Sequence, residues 1–223
     1  MYKFYCIAFL VTFTLFLSCS NSMSSPDGII SGEVSDIDGN IYKTEKIGKQ
    51  WWMTENLKVT RFSNGDSIRI ISNNNEWSKL RSAGYCNYGD DTSNVAVFGR
   101  LYNWYAVNDN RNLAPEGWHV ASDEDWQQLE MYFGMPHSQA DSIGFRGSDE
   151  AAKLKESAFA VIPSGFREPD GDFAQIGTFA YWWSSTEFCT LNAWLRGMSI
   201  NYGKISRNFD SKIQGFSVRC VKD

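Results

Sequence analysis

His119 and His137 are the only histidines in the 223-residue chain, and a positioned base or nucleophile is what acid–base and covalent catalysis require. No Gly-x-Ser-x-Gly or His-Glu-x-x-His stands near either one, so hydrolase motifs are absent. His119 sits in Gly-Trp-His-Val just before a helix start and reads as structural. Asp123, Glu124 and Asp125 read as the first turn of that helix, where the backbone dipole favours acids, rather than as a glycosidase pair. The run Asp36-Ile-Asp38-Gly39-Asn40 copies the start of an EF-hand loop. Its sixth and twelfth positions are Ile41 and Ile47, so the turn glycine and final Glu are missing and it reads as a hairpin turn. Glu168, Asp170 and Asp172 gather oxygen ligands in a loop and are the one candidate for calcium. Otherwise no metal or cofactor is expected, and no Cys-x-x-Cys or His-containing cluster suggests zinc.

Aromatic residues carry the remaining signal, because Trp and Tyr offer large rigid faces to sugars and protein partners. Trp182 and Trp183 are adjacent on a strand and must point to opposite faces. One is expected in the core. The other is expected at the surface with Glu187, Asn192, Trp194 and Arg219, as a patch for glycans or peptides. The net charge of −5 offers no basic face, and nucleic acid is not expected as a partner.

Several elements must position these groups. Residues 1–18 have a short positive start, the apolar run Phe4 to Leu17 and small residues at the end, the pattern of an export signal. Residues 19–28 read as a flexible tether of linker residues. Loss of the leader removes Lys3 and leaves 20 bases against 26 acids. Of the later cysteines, Cys189 and Cys220 are the preferred disulfide, with Cys86 pairing to either, or three reduced thiols, as alternatives. The folded part is expected over 29–223. Gly32 to Trp52 reads as hairpins, and Leu101, Trp104, Tyr105 and Asn108 have helical spacing. Ser122 caps a helix carrying Trp126, Leu129, Glu130 and Phe133 and ending at Gly134. A short helix covers 149–156. Strands are expected at Phe159–Ile162, Tyr181–Ser185, Ala193–Ile200, Lys204–Phe209 and Phe216–Val221, with a hairpin turn at Asn201-Tyr202-Gly203. The class is α+β, with two or three short helices and a twisted antiparallel sheet.

The phrases Ile47-Gly-Lys-Gln-Trp-Trp-Met-Thr-Glu-Asn-Leu-Lys, Gly99-Arg-Leu-Tyr-Asn-Trp-Tyr-Ala-Val, Pro115-Glu-Gly-Trp-His-Val-Ala-Ser-Asp-Glu-Asp-Trp, Trp183-Ser-Ser-Thr-Glu and Gly215-Phe-Ser-Val-Arg-Cys-Val occur in order. Together they resemble the Fibrobacter succinogenes major paralogous domain, found in lipoproteins and secreted proteins of Bacteroidetes and Fibrobacter. Phe16-Leu17-Ser18-Cys19 likewise resembles the lipobox of bacterial lipoproteins, with Phe16 where Leu is usual, which implies Cys19 as the lipidation site, with ordinary cleavage or a retained anchor as the alternatives. The order Trp118 to Trp126, Trp183 to Glu187 and Gly215 to Arg219 is similar to the formylglycine-generating-enzyme branch of C-type-lectin-like folds, without that enzyme's reactive cysteine pair. Glu168-Pro-Asp170 resembles the Glu-Pro-Asn signature of calcium-dependent lectins, but the companion Trp-Asn-Asp is absent. Ala114 stands where many relatives carry Cys, so no disulfide scheme is carried over. These likenesses imply a C-type-lectin-like domain lipid-anchored to the cell envelope, at the outer membrane, that binds an extracellular glycan or surface protein without catalysis. The alternatives are an enzyme or accessory acting on polysaccharide, and a structural component of an envelope complex.

Overall fold

The computed structural model describes residues 23–24 and 30–223, with side-chain environments from residue 31. The leader, Cys19 and most of the tether lie outside the described residues. In chain order the elements are β1 (Met23–Ser24), β2 (Ile30–Ser35), β3 (Ile41–Ile47), β4 (Gln50–Met53), β5 (Arg69–Ile70), α1 (Asn74–Lys79) and β6 (Gly84–Cys86). There follow α2 (Val95–Phe98), β7 (Leu101–Tyr102), α3 (Trp104–Val107), β8 (Trp118–Val120), α4 (Asp123–Tyr132), α5 (His137–Ala140), β9 (Gly144–Arg146) and α6 (Glu150–Glu156). The last part is all strand: β10 (Ser164–Arg167), β11 (Phe173–Ile176), β12 (Phe179–Glu187), β13 (Asn192–Ser199), β14 (Ile205–Ser211) and β15 (Cys220–Lys222).

These strands make two six-stranded sheets, β1-β2-β3-β4-β15-β8 and β11-β10-β12-β13-β14-β9, and a three-stranded one, β5-β6-β7. Pairing is antiparallel except for β5 with β6 and β10 with β12. The architecture is therefore mixed and sheet-dominated, with three sheets where one was expected. Six short α-helices are found among the described residues, where two or three were expected.

Local chemistry explains the elements that matter for the site. At α4 the Ser122 hydroxyl accepts from Asp125 N while the Asp125 carboxylate accepts from Ser122 N at 2.9 Å, a reciprocal cap that satisfies two otherwise orphaned donors. Gly134, at φ 112°, ends the helix in a conformation that a side chain would resist. The expected helix from Leu101 shrinks to the single turn of α3, since Leu101 belongs to β7. The expected strand Phe159–Ile162 is irregular, because the Phe159 and Ala160 carbonyls accept from the Arg219 guanidinium at 2.9 and 2.8 Å.

Three hydrophobic clusters result among the described residues, a small one around Trp77 and two larger ones between which adjacent residues divide. Met53, Trp183, Val218 and Cys220 pack in the first of the larger two, with Tyr102, Trp104, Leu195 and Phe216. Trp52, Trp182 and Val221 pack in the second, with Trp126, Leu129, Leu154, Met198 and Ile205. The segment Gly215 to Lys222 is the seam between the large sheets. It bridges Arg167, Tyr102 and Trp182 through Gly215, Phe216 and Ser217, then enters the first sheet as β15 between β4 and β8.

Candidate binding surface

The surface patch expected around Trp182, Trp183 and Arg219 does not exist. Both tryptophans and Arg219 are 0% exposed, because the sheet carrying β12 is covered on both faces and period-two alternation gives each Trp its own core. Trp182 Nε1 donates to Asn56 Oδ1 at 2.9 Å and Trp183 Nε1 to the Tyr102 carbonyl at 2.8 Å. Arg219 donates to Asn56 Oδ1 at 2.7 Å and to the carbonyls of Met53, Phe159 and Ala160. Burial pushes its guanidinium down to about 9.

Glu187, Asn192 and Trp194 do reach the surface, and the fold joins Trp194 to two rings the sequence reading passed over. Phe209 lies directly opposite Trp194 in the β13–β14 ladder. Phe188 stacks on Phe209 with centroids 3.8 Å apart and planes 8° from parallel. Trp194 meets both edge-on, at 4.9 and 5.9 Å. Phe188 is 41% exposed, and Leu191 at the same hairpin tip is 73% exposed. The tip is braced by Lys212, whose Nζ donates to Glu187 Oε1 at 2.6 Å and to the Thr190 carbonyl at 2.9 Å. A signal for Phe209 was present: counting back equally from the turn centred between Asn201 and Tyr202 places it across from Trp194.

Behind the rings lies a buried layer of charge. Arg207 holds its guanidinium 3.7 Å over the Trp194 ring and grips both Asp123 carboxylate oxygens. Arg196 bonds Asp123 and Glu130, each at 2.7 Å, and Arg146 donates to both Glu130 oxygens at 2.7 and 2.8 Å. Burial would raise Asp123, but the hydrogen bonds and charges of Arg207 and Arg196 outweigh it and hold the carboxyl below its ordinary range. Along one face of β13–β14 the order is thus apolar Met198 and Ile205, then paired arginines, then open aromatics.

The other candidate groups have structural work. His119 donates toward Asp125 Oδ2 at 3.0 Å and Asp223 Oδ1 at 2.7 Å; the Asp125 bond leads in pushing the imidazole up to about 9, against burial. It is therefore protonated at neutral pH and has no lone pair to offer as a base. Asp36 accepts from Asp38 N, Asn40 N, Asn40 Nδ2 and the Tyr42 hydroxyl, which makes the expected hairpin turn. Residues 168–172 are the β10–β11 turn: Asp170 Oδ1 accepts from Asp172 N at 3.1 Å and Asp172 Oδ1 from Asn74 Nδ2 at 3.0 Å. Glu168 is raised by burial and then by Asp210. Among the described residues no group of three or more His, Cys, Asp or Glu is gathered to hold a metal ion, so Glu168, Asp170 and Asp172 form no such set.

The preferred disulfide is likewise replaced. Cys86, Cys189 and Cys220 are all free, with Cys189 exposed and the other two buried. Cys189 is at the β12–β13 tip of one sheet, whereas Cys220 is paired with Val120 in the other. Burial pushes the Cys86 thiol up to about 12 and raises that of Cys220 still further.

The arrangement defines a mixed, sheet-dominated protein in which the sheet of β12, β13 and β14 ends in an exposed, braced aromatic cluster. The chain belongs to the Fibrobacter succinogenes major domain family, whose model matches residues 46–222. Neither a curated protein nor a solved structure matches it.

Proposed function

We propose that this is a non-enzymatic binding protein, anchored to the cell envelope at the outer membrane through a lipid on Cys19, whose aromatic cluster binds an extracellular glycan. The observation that carries the reading is the Phe188–Trp194–Phe209 cluster, because stacked rings left partly in water offer a rigid flat face for sugar C–H groups. A C-type-lectin-like topology is part of the proposal. It is supported by α4 and α6 preceding the antiparallel strands β12 to β14, and by the terminal strand β15 returning to the sheet of β2 to β4. A second reading, a protein partner in the envelope, is favoured by the aliphatic Leu191 at the tip, 73% exposed.

The test is a screen of the full-length protein on plant, host and bacterial glycans, beside Trp194→Ala and Phe188→Ala. Saturable binding that falls about 10-fold or more in both variants, with the fold intact, supports the glycan reading. Binding unchanged in both variants, or absent for every glycan, overturns it. Trp183→Ala is no probe of this surface, since it opens a core cavity.

A further inference from the structure

A second site, independent of the aromatic cluster, lies between the β2–β3 turn and the 113–116 loop. We propose that this cleft binds short peptides by their two charged ends, the carboxylate at Arg61 and the ammonium at Glu116. The cavity holds about 240 Å³, below the roughly 300–1,000 Å³ of sites for drug-sized ligands, so its occupant is one or two residues long. Its floor is aliphatic, with Val59, Leu113 and Ala114 all buried, and among the described residues no aromatic ring lines it. That floor suits an alkyl side chain and gives a sugar nothing to stack on.

The rim supplies two charges, Arg61, ion-paired to Asp38 through Nε alone, and Glu116, unpaired among the described residues. Arg61 is held in place by a backbone bridge to Ser67 and by a 3.5 Å contact from Nε to Asp38. Its two terminal nitrogens make no hydrogen bond among the described residues, so the fork that fits a carboxylate bidentately is open. Asp36 also lines the cleft, but four donors already occupy its oxygens. Glu116, on the opposite loop, has neither ion pair nor hydrogen bond among the described residues and lines the same cavity. The Ser35 hydroxyl, also at the wall, is equally unengaged and suits a peptide amide. A dipeptide reaches about 7 Å from end to end, which separates its charges while its side chain rests on the floor.

The test is a chemical cycle on the full-length protein, read by saturation-transfer NMR titration. The ligands are the dipeptide Ala-Val, its N-acetyl form and its C-terminal amide. The proteins are the unsubstituted chain, Arg61→Gln and Glu116→Gln. Both side chains are solvated, so each end is expected to be worth about threefold to fivefold in affinity. Amidation should weaken binding to the unsubstituted protein and cost nothing further in Arg61→Gln. Acetylation should do the same with Glu116→Gln. The proposal is overturned if Ala-Val shows no saturable binding at about 10 mM, if blocked and free peptides bind alike, or if each blocking penalty persists in its matched variant.

Discussion

Replacing His119 by Gln should cost stability at low pH and almost nothing at high pH. The imidazole lies at about 9 in the folded protein against an ordinary 6.5, and that gap corresponds to about 3.4 kcal/mol at 1.36 kcal/mol per pH unit. The side chain is 41% exposed, so solvent screening reduces the measurable part to about 1–2 kcal/mol. Asp125 is depressed by the same contact, where bonds from His119 and Ser122 outweigh burial, and its share is not additional. Because the folded value is raised, the contribution is complete below about pH 6.5 and disappears as pH rises through about 9. Urea unfolding of both proteins, followed by Trp fluorescence at about pH 6, 7.5 and 9.5, measures it. The expected difference is about 1–2 kcal/mol at the lowest pH, partly lost at the middle one, and within about 0.5 kcal/mol of zero at the highest. A difference independent of pH, or one that grows with pH, would refute the ion-pair account of His119.

Glu130→Gln should destabilise the fold by about 3–5 kcal/mol in denaturant titration, because Arg146 and Arg196 would be left buried without their shared counter-ion; a loss under about 1 kcal/mol contradicts this. Alkylation with iodoacetamide followed by peptide mapping should label Cys189 in the native protein, and Cys86 and Cys220 only after unfolding. Gly171→Ala should cost more than about 1 kcal/mol, since the residue is at φ 102° and an added methyl would sit 2.6 Å from the Asn74 backbone; a neutral thermal shift would show that the 168–172 turn is free to rearrange.

Helix α4 was legible because its start, face and stop are local: Ser122, the spacing of Trp126 and Leu129, and Gly134. Glu130 was legible as a position on that face but not as a buried group, since its partners Arg146 and Arg196 lie 16 and 66 residues away. The alternation of Trp182 and Trp183 was also correct. What periodicity cannot tell is how many faces of a sheet are covered, and here the second cover comes from α4 and α6, earlier in the chain. The disulfide expectation failed for a related reason. Cys189 and Cys220 are both in the terminal strand region, yet the seam from Gly215 onward carries Cys220 into the first sheet.

Where the cover ends decides where a binding surface can be. α4 begins at Asp123, above the Arg196–Arg207 pair, so strands β13 and β14 run on past the start of their helix. Apolar residues on the uncovered stretch must shelter one another, and Phe188, Trp194 and Phe209 do so with Arg207 as a lid on one ring, a cation–π contact worth about 0.5–2 kcal/mol. A surface already ordered in this way loses little freedom when it binds. Its members should therefore separate by role. Phe188→Ala, at the exposed end, should lower ligand affinity while changing unfolding free energy by less than about 1 kcal/mol. Arg207→Gln should lower both, since it unpairs Asp123 and releases Trp194. If Phe188→Ala instead destabilises the protein by several kcal/mol and leaves affinity unchanged, the cluster is the fringe of the core and the binding surface must be sought elsewhere.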